Sequence, residues 1–403
     1  MSSYLRKALV GGAAMVIGLS GLAACGSDSN SGGGGGSGSS DTKITAGCKL
    51  DNPPTSAAKA PEEGTAGKAK GKVGAILPDT TSSNRYTLYD APLLTKALKE
   101  GGLTPDVQNA QGDKNKFASI AQSMIGDNSK VLIIDSIDAA SGAGVEAQAD
   151  KAGVKVIDYD RPNLGGTAGY YVSFDNEEVG KLQAQTMVDC LNAQDIKKPK
   201  IIMMNGGTDV DNNAVLFQKG AHSVLDPLED EGKLTIDQEA TVKGWLVENA
   251  APAFNQALTA SGGEVQGVLA ANDAIAGAVI GVLKNQGLDG HVVVTGQDAS
   301  VDGVQNVVTG KQSMTVFKDV SFEANAASQL AIALMAGKDP ASAGLKVVPF
   351  KDPEKPDRKF EALLLPTTVI TQANVQDIID AGALKADEIC KGIEDDCKKL
   401  GIS

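Results

Sequence analysis

The chain has 403 residues, 42% of them apolar and 22% charged, which excludes wholesale disorder and leaves room for two or three domains. Its net charge of −13 argues against a nucleic-acid partner, because phosphate backbones need clustered Lys and Arg. Two histidines, His222 and His291, stand far apart in sequence, which disfavours His-based acid–base relays and His-rich metal sites.

At the amino terminus, Arg6 and Lys7 precede an uncharged stretch, Ala8–Ala24, interrupted by glycines and Ser20. It is too short to span a bilayer and reads as the charged and apolar regions of a signal peptide. It ends Leu22-Ala23-Ala24-Cys25-Gly26, small residues before a cysteine, which resembles the lipobox of bacterial lipoproteins. Residues 1–24 are thus expected to be a lipoprotein signal peptide and Cys25 the lipid anchor. Gly26–Ser40 is almost wholly Gly, Ser, Asn and Asp, and the stretch up to Lys70 has no periodic apolar face. Residues 25–71 are expected to be a flexible tether, with the globular body starting near Lys72. This layout puts the body outside the cytoplasm, held to the cell membrane at a cell surface or in a periplasm.

From Lys72 onward, short apolar runs alternate with amphipathic stretches. Strands are expected at Val73–Leu77, Val131–Asp135, Val154–Tyr159, Tyr170–Phe174, Ile201–Met204, Gly267–Ala271 and His291–Thr295. Helices are expected at Leu88–Glu100, Gly144–Ala152, Glu177–Leu191, Ala214–Leu225, Val247–Leu258 and Ala274–Gln286, and Phe360–Thr371 reads as a late strand returning between the lobes. Such alternation implies βαβ units with parallel sheets covered on both faces. The length calls for two doubly wound α/β lobes. With Cys25 lipidated, four cysteines remain, an even number suited to an oxidising compartment. Cys390 and Cys397 close a short loop and are read as a disulfide, leaving Cys48 and Cys190 as the other candidates. No CxxC occurs, so neither zinc nor a redox centre is expected, and no metal or cofactor is assigned.

Polar residues crowd the carboxyl ends of the strands, where open α/β sheets hold ligands. Asp79, Asp160 with Arg161, Asn205, Asn272 with Asp273, and Gln297 with Asp298 each follow a strand. A single such Asp is commonly a helix N-cap, and Asp298 could cap the helix beginning near Val301. Several together suggest one polar cleft that wants a hydroxyl-rich ligand.

The segments Tyr159-Asp160-Arg161, Ser173-Phe174-Asp175-Asn176, Asp211-Asn212-Asn213-Ala214, Gly244-Trp245-Leu246-Val247-Glu248-Asn249, Ala271-Asn272-Asp273-Ala274, Gly296-Gln297-Asp298 and Met314-Thr315-Val316-Phe317-Lys318 occur in that order. Together they resemble the sugar-binding proteins of bacterial ABC importers, of the type I, ribose-binding-like fold, and within it the xylose and multi-sugar binders. The resemblance implies two lobes joined by three crossover hinge segments and closing on a monosaccharide. Carried onto this chain, it divides the body into residues 72–174 plus 319–350 and residues 175–318 plus 351–403. It makes Arg85, Tyr86, Asp160, Arg161, Asn213, Trp245, Asn272, Asp298 and Lys318 ligand contacts. Asp175, Asn176 and Asp319 fall at hinge crossings. It also implies ABC permease subunits as partners of a monomeric, non-enzymatic protein.

These residue types suit that chemistry. A carboxylate accepts from vicinal hydroxyls while a guanidinium donates through a rigid fork, so Asp160 and Arg161 can fix adjacent hydroxyls. Asn213 and Asn272 offer donor and acceptor together. Trp245, the sole tryptophan, can lay its face on the C–H face of a pyranose, with Tyr86 or another ring opposite completing a sandwich. Other readings fit less well. Gly142-Ala143-Gly144-Val145-Glu146-Ala147 has the dinucleotide pattern GxGxxA but begins seven residues after Asp135, too late for a phosphate turn. No GxSxG supports a hydrolase. A sugar-responsive repressor would need a basic helix-turn-helix where this chain has its signal and tether. A sugar sensor presenting its closed form to a membrane receptor is the alternative use of the same fold.

Overall fold

Runs of consecutive apolar residues make the strands of this fold. VLII at Val131–Ile134 is buried at all four positions, as a parallel strand covered on both faces requires. The computed structural model describes residues 44–50, 52–56, 59 and 66–402. The expected signal peptide, the Cys25 anchor and the glycine-rich segment lie outside the described residues.

The first lobe opens with β1 (Lys72–Leu77), α1 (Ala91–Glu100), β2 (Thr104–Asn109), α2 (Lys114–Gly126), β3 (Val131–Ile134), α3 (Ala139–Lys151), β4 (Lys155–Tyr159) and β5 (Tyr170–Phe174). The second takes α4 (Asn176–Ala193), β6 (Lys200–Asn205), α5 (Asn212–Asp230), β7 (Thr235–Thr241), α6 (Ala250–Ala260), β8 (Gly267–Ala270), α7 (Asp273–Asn285), β9 (Val293–Val294), α8 (Val301–Val308) and β10 (Thr315–Lys318). The chain then returns to the first lobe for α9 (Val320–Met335), β11 (Val348–Pro349) and β12 (Glu361–Leu365). It ends in the second with β13 (Thr367–Ile370), α10 (Gln376–Asp380), α11 (Ala386–Ile389) and α12 (Glu394–Leu400).

The first sheet has the order β11-β12-β5-β4-β3-β1-β2 and is parallel except for β11. The second has the parallel order β7-β6-β8-β9. A bridge between Gln297 and Val316 continues it to the antiparallel pair β10-β13. The expected α/β architecture of two parallel-sheet lobes joined by three crossings is therefore present. Asp175 and Asp319 sit at the first two crossings and cap the helices that follow, accepting from Glu178 N (3.1 Å) and Ser321 N (2.9 Å).

Two boundaries differ from expectation. Residues 351–365 do not belong with the second lobe, because β12 pairs with β5 from Glu361↔Tyr170 to Leu365↔Phe174. The third crossing is thus at Pro366, between two halves of an extended run that sequence reads as one strand. The preceding loop is pinned to the first lobe by Arg358, which donates to Asn163 O (2.6 Å), Ala168 O (2.9 Å) and Asp352 Oδ2 (3.0 Å).

The second correction concerns the tether expected over residues 25–71. Residues 44–50 and 52–56 instead form a strap along the second lobe. Ala46 N donates to Gly290 O, Thr45 pairs with the Gln194 amide, and Cys48 is disulfide-bonded to Cys190. Further on, Val369 N donates to Pro54 O and Ser56 N to Thr367 O, so the strap runs antiparallel beside β13. Ala66 and Ala69 then bond to Gln329 and Gly101 of the first lobe. The strap shows no apolar period because it is an extended edge held by backbone bonds and one disulfide. Cys390 and Cys397 are also bonded to each other.

Helix α3 begins at Ala139, earlier than expected, with Asp138 capping it by accepting from Ser141 N. The GxGxxA glycines lie inside this helix. Gly142 is needed for packing, since a Cβ there would meet Asn163 Oδ1 at 1.8 Å. The strand expected at His291–Thr295 shortens to Val293–Val294. Among the described residues, no helix is long and apolar enough to cross a membrane.

Candidate functional site

The strand ends of the two lobes face each other across one narrow cavity with about 30 Å³ of free space. Its lining comprises Ser82, Ser83, Arg85, Tyr86, Asp160 and Arg161 from the first lobe. The second lobe supplies Asp211, Asn213, Phe217, Trp245, Asn272, Gln297, Asp298 and Lys318. All nine residues singled out as ligand contacts line it, but several face it differently from expectation.

Three of them sit in the left-handed backbone region that non-glycine residues rarely adopt: Asp160 (φ 58°), Trp245 (φ 60°) and Asp298 (φ 90°). Such strain persists only where surrounding contacts over-determine it, and it concentrates at binding sites. Asp160 leaves β4 with its N–H on Val172 O, and its carbonyl accepts from Asn213 Nδ2 (2.7 Å) of the opposite lobe. Its carboxylate accepts from Tyr86 OH at 3.0 Å and Arg85 Nη1 at 3.4 Å. Burial opposes ionisation of Asp160, but Arg85, Lys318 and Arg161, with the Tyr86 bond, hold it below the usual carboxylate range.

Arg161 donates to Ser136 O, Ser82 Oγ and Tyr86 OH, and its Nε lies 3.6 Å from Asp211 Oδ2 across the cleft. Among the described residues, Arg161 Nε and Gln297 Oε1 are buried with no hydrogen-bond partner. Behind Arg161, burial and the Asp160 charge push the Asp135 carboxyl well up.

Asp211 ties three elements together. It caps α5 at Asn213 N (2.8 Å), accepts the indole N–H of Trp245 (3.0 Å) and faces Arg161. Burial raises its pKa despite Arg161. The Trp245 ring lies on the Gly206-Gly207 backbone that follows β6, where a Cβ would strike it at 2.1 and 2.8 Å. Phe217 stands edge-on to it, with centroids 6.3 Å apart and planes at 76°. The Lys318 ammonium is 2.9 Å from Asp298 Oδ1 and lies near the Phe174 and Phe217 rings.

Four expectations change in detail. Tyr86, expected opposite Trp245, is flanked by the Arg85 and Arg161 guanidinium groups, each 5.7 Å from its ring centre. The second ring beside Trp245 is Phe217, from the same lobe. Asn213 has both ends of its amide occupied by the opposite lobe, Oδ1 by Tyr171 OH (2.9 Å) and Nδ2 by the Asp160 carbonyl. It latches the lobes, with Asn176 Nδ2 steadying Tyr171 OH at 3.1 Å. Most of the Arg85 fork points away from the cavity, to Asp90 and Glu323. Asn272 caps α7 through Ile275 N (3.0 Å) while also lining the cavity.

Ser82, Ser83, Asp211, Phe217 and Gln297 line the cavity without having been singled out as contacts. The position of Asp211 just before Asn213, and of Gln297 just before Asp298, was the available signal. Phe217 carried none, because one apolar residue within a helix reads as core.

Known proteins share this arrangement. Residues 74–339 match the family model described as "Periplasmic binding protein domain". The D-xylose-binding periplasmic protein of Escherichia coli (strain K12) is 37% identical over 265 residues, 64% of this chain and 78% of the relative. The multiple sugar-binding periplasmic receptor ChvE of Rhizobium radiobacter is 33% identical over 342 residues, 79% of this chain and 92% of the relative. Among solved structures, a carbohydrate transporter solute binding protein from Chloroflexus aurantiacus in complex with D-glucose superposes with a TM-score of 0.71. It is 28% identical, and the match covers 80% of this chain and 98% of that one. An ABC transporter solute binding protein from Clostridium phytofermentans with bound β-D-glucose gives 0.70 at 29% identity, over 79% and 99% of the two chains. Two parallel-sheet lobes, three crossings and a polar cavity at the facing strand ends, together with these matches, place the chain in the periplasmic binding protein family.

Proposed function

We propose that this protein is a lipid-anchored extracytoplasmic carrier. It takes one monosaccharide, a xylose-like pentose or a related aldose, between its lobes and hands it to an ABC permease. One observation carries the reading. Three buried cations, Arg85, Arg161 and Lys318, and three buried or nearly buried carboxylates, Asp160, Asp211 and Asp298, surround the cavity beside an indole and a phenyl ring. This balanced set has no net charge to offer an ion. Its donors and acceptors suit a neutral ligand bearing hydroxyls around an apolar C–H face. The relatives named for D-xylose and for multiple sugars, and the two glucose complexes, support the same class.

The carrier performs no chemistry. Ligand contacts from both lobes exist together only when the cleft is shut, so binding favours the closed state, which the permease then reads. Lipidation at Cys25 and a monomeric state rest on the amino-terminal sequence and on the family pattern. Calorimetric titration with a panel of pentoses and hexoses tests the reading: one-to-one binding of at least one aldose is expected, and binding of none defeats it. Cys25→Ser is expected to release the protein from the membrane fraction, and retention there would remove the anchor.

A further inference from the structure

We propose that Glu323 is a positioning residue for the cavity. It sets the Arg85 guanidinium, and through it Asp160, from behind, and makes ligand binding proton-linked at the second lobe-to-lobe crossing. This rests on the sugar-binding reading for its ligand, but not for its geometry.

Three carboxylates converge on the single buried guanidinium of Arg85. Asp90 takes the fork through Nε (2.9 Å) and Nη2 (2.8 Å), Asp160 takes Nη1 (3.4 Å), and Glu323 takes Nη2 (2.5 Å). Asp90 is further held by the Tyr159 hydroxyl at 2.6 Å, and Asp160 by Tyr86. Glu323 alone of the three has an oxygen, Oε1, that is buried without a hydrogen-bond partner among the described residues. Both Glu323 and Asp90 are fully buried. Lys318 and Arg161 also offset Asp160, but among the described residues Asp90 and Glu323 are ion-paired with Arg85 alone, and the acid with the orphaned oxygen loses least by staying neutral.

The titratable and charged groups facing Glu323 are Arg85 and Asp90 from the first loop and α1 entry, Tyr159 and Asp160 from the β4 end, and Tyr171 from β5. Burial first, then Asp160 and Asp90, push its carboxyl up to about 8 against the pull of Arg85. A carboxyl raised in this way keeps its proton to higher pH than an ordinary glutamic acid. Once ionised, it competes with Asp160 for the guanidinium and loosens the carboxylate that faces the ligand.

Its place in the chain gives this consequence. Glu323 is in the first turn of α9, capped by Asp319 at the second crossing, and the residue before that cap is Lys318 of the cavity. The crossing therefore carries a cavity residue on its second-lobe side and the Arg85 support on its first-lobe side.

The test is affinity for the best aldose of the panel between pH 6.5 and pH 9.5, with Glu323→Gln, Glu323→Leu and Glu323→Ala. Wild-type affinity is expected to be flat to about neutral pH and then to weaken roughly tenfold through the mildly alkaline range. Glu323→Gln, a neutral isostere, should stay within about threefold of wild type at pH 7 and lose the step, whereas Leu and Ala should each weaken binding roughly tenfold or more. Leu binding like wild type would reduce Glu323 to packing and overturn the proposal. A step surviving in Gln would assign the proton elsewhere and overturn it as well. The Nε–Hε resonance of Arg85 supplies a ligand-free readout, expected to shift near pH 8 in wild type and not in Glu323→Gln. If no aldose binds the wild type, the carrier reading falls, and this resonance alone decides the role of Glu323: a pH-independent signal ends it.

Discussion

At the scale of single residues, the site is a set of side chains kept in costly states by their neighbours. Trp245 has a positive φ and rests on two glycines, so its ring position depends on atoms that Gly206 lacks. Gly206→Ala should displace the indole, weaken ligand binding by about 1–3 kcal/mol and shift the fluorescence of the only tryptophan. An unchanged emission spectrum would show that the ring does not rest there. Asp273, at the start of α7, accepts from Gln312 Nε2 and Ser300 N, yet burial and then Asp298 push its carboxyl up to about 7. The folded protein thus holds that proton more tightly than the unfolded chain does. Stability from this group is full below the unfolded value near 4 and is lost as pH rises through about 7, by a few kcal/mol at most. Thermal unfolding from pH 5 to pH 8 should show Tm falling, with a shallower slope in Asp273→Asn. An equal slope would place the titrating group elsewhere.

Between elements, the close crossing of α4 and α5 decides where two cavity residues stand. A Cβ on Gly180 would lie 2.0 Å from Phe217 O, and one on Gly220 would lie 1.9 Å from Glu177 O, so the two backbones touch. Asn213 and Phe217 project from the first turns of α5, and their reach toward the first lobe is set by this contact. Gly220→Ala should push the helices apart, costing about 1–3 kcal/mol of stability and weakening ligand binding in parallel. Measured by denaturant unfolding and calorimetry together, loss of stability with full affinity would show that α5 is placed by other contacts.

For the whole molecule, a strap ahead of β1 adds contacts to both lobes beside the three crossings. The strap of residues 44–50 and 52–56 is fastened to the second lobe by the Cys48–Cys190 bond, and Ala66 and Ala69 fasten the chain to the first. That disulfide spans 142 residues, and in the chain-entropy picture a loop of this size contributes about 5 kcal/mol. Cys48→Ser should lower Tm by several degrees and expose the strap to limited proteolysis. A variant as stable and as protease-resistant as wild type would make the strap a passive appendage. Asn213 bonds directly across the cleft to the Tyr171 hydroxyl and the Asp160 carbonyl, so contacts within the protein hold the lobes together.

The alternation of apolar runs and amphipathic stretches determined the lobes and the parallel sheets, because a strand buried on both faces has no other way to be written. Polar residues after those runs marked the cleft for a related reason: a charged side chain at a buried strand end must meet a partner. Edge strands were less legible. Thr104–Asn109 and Thr235–Thr241 are half exposed and polar, and β12 and β13 share one run divided only by Pro366. What only the tertiary structure decided is which way each polar group points. Arg85 turns to Glu323 and Asp90, Asn213 turns to the other lobe, and Phe217 rather than Tyr86 stands beside Trp245. Arg85 meets Glu323 across 238 positions and Asn213 meets Asp160 across 53, and local sequence holds no record of such pairings.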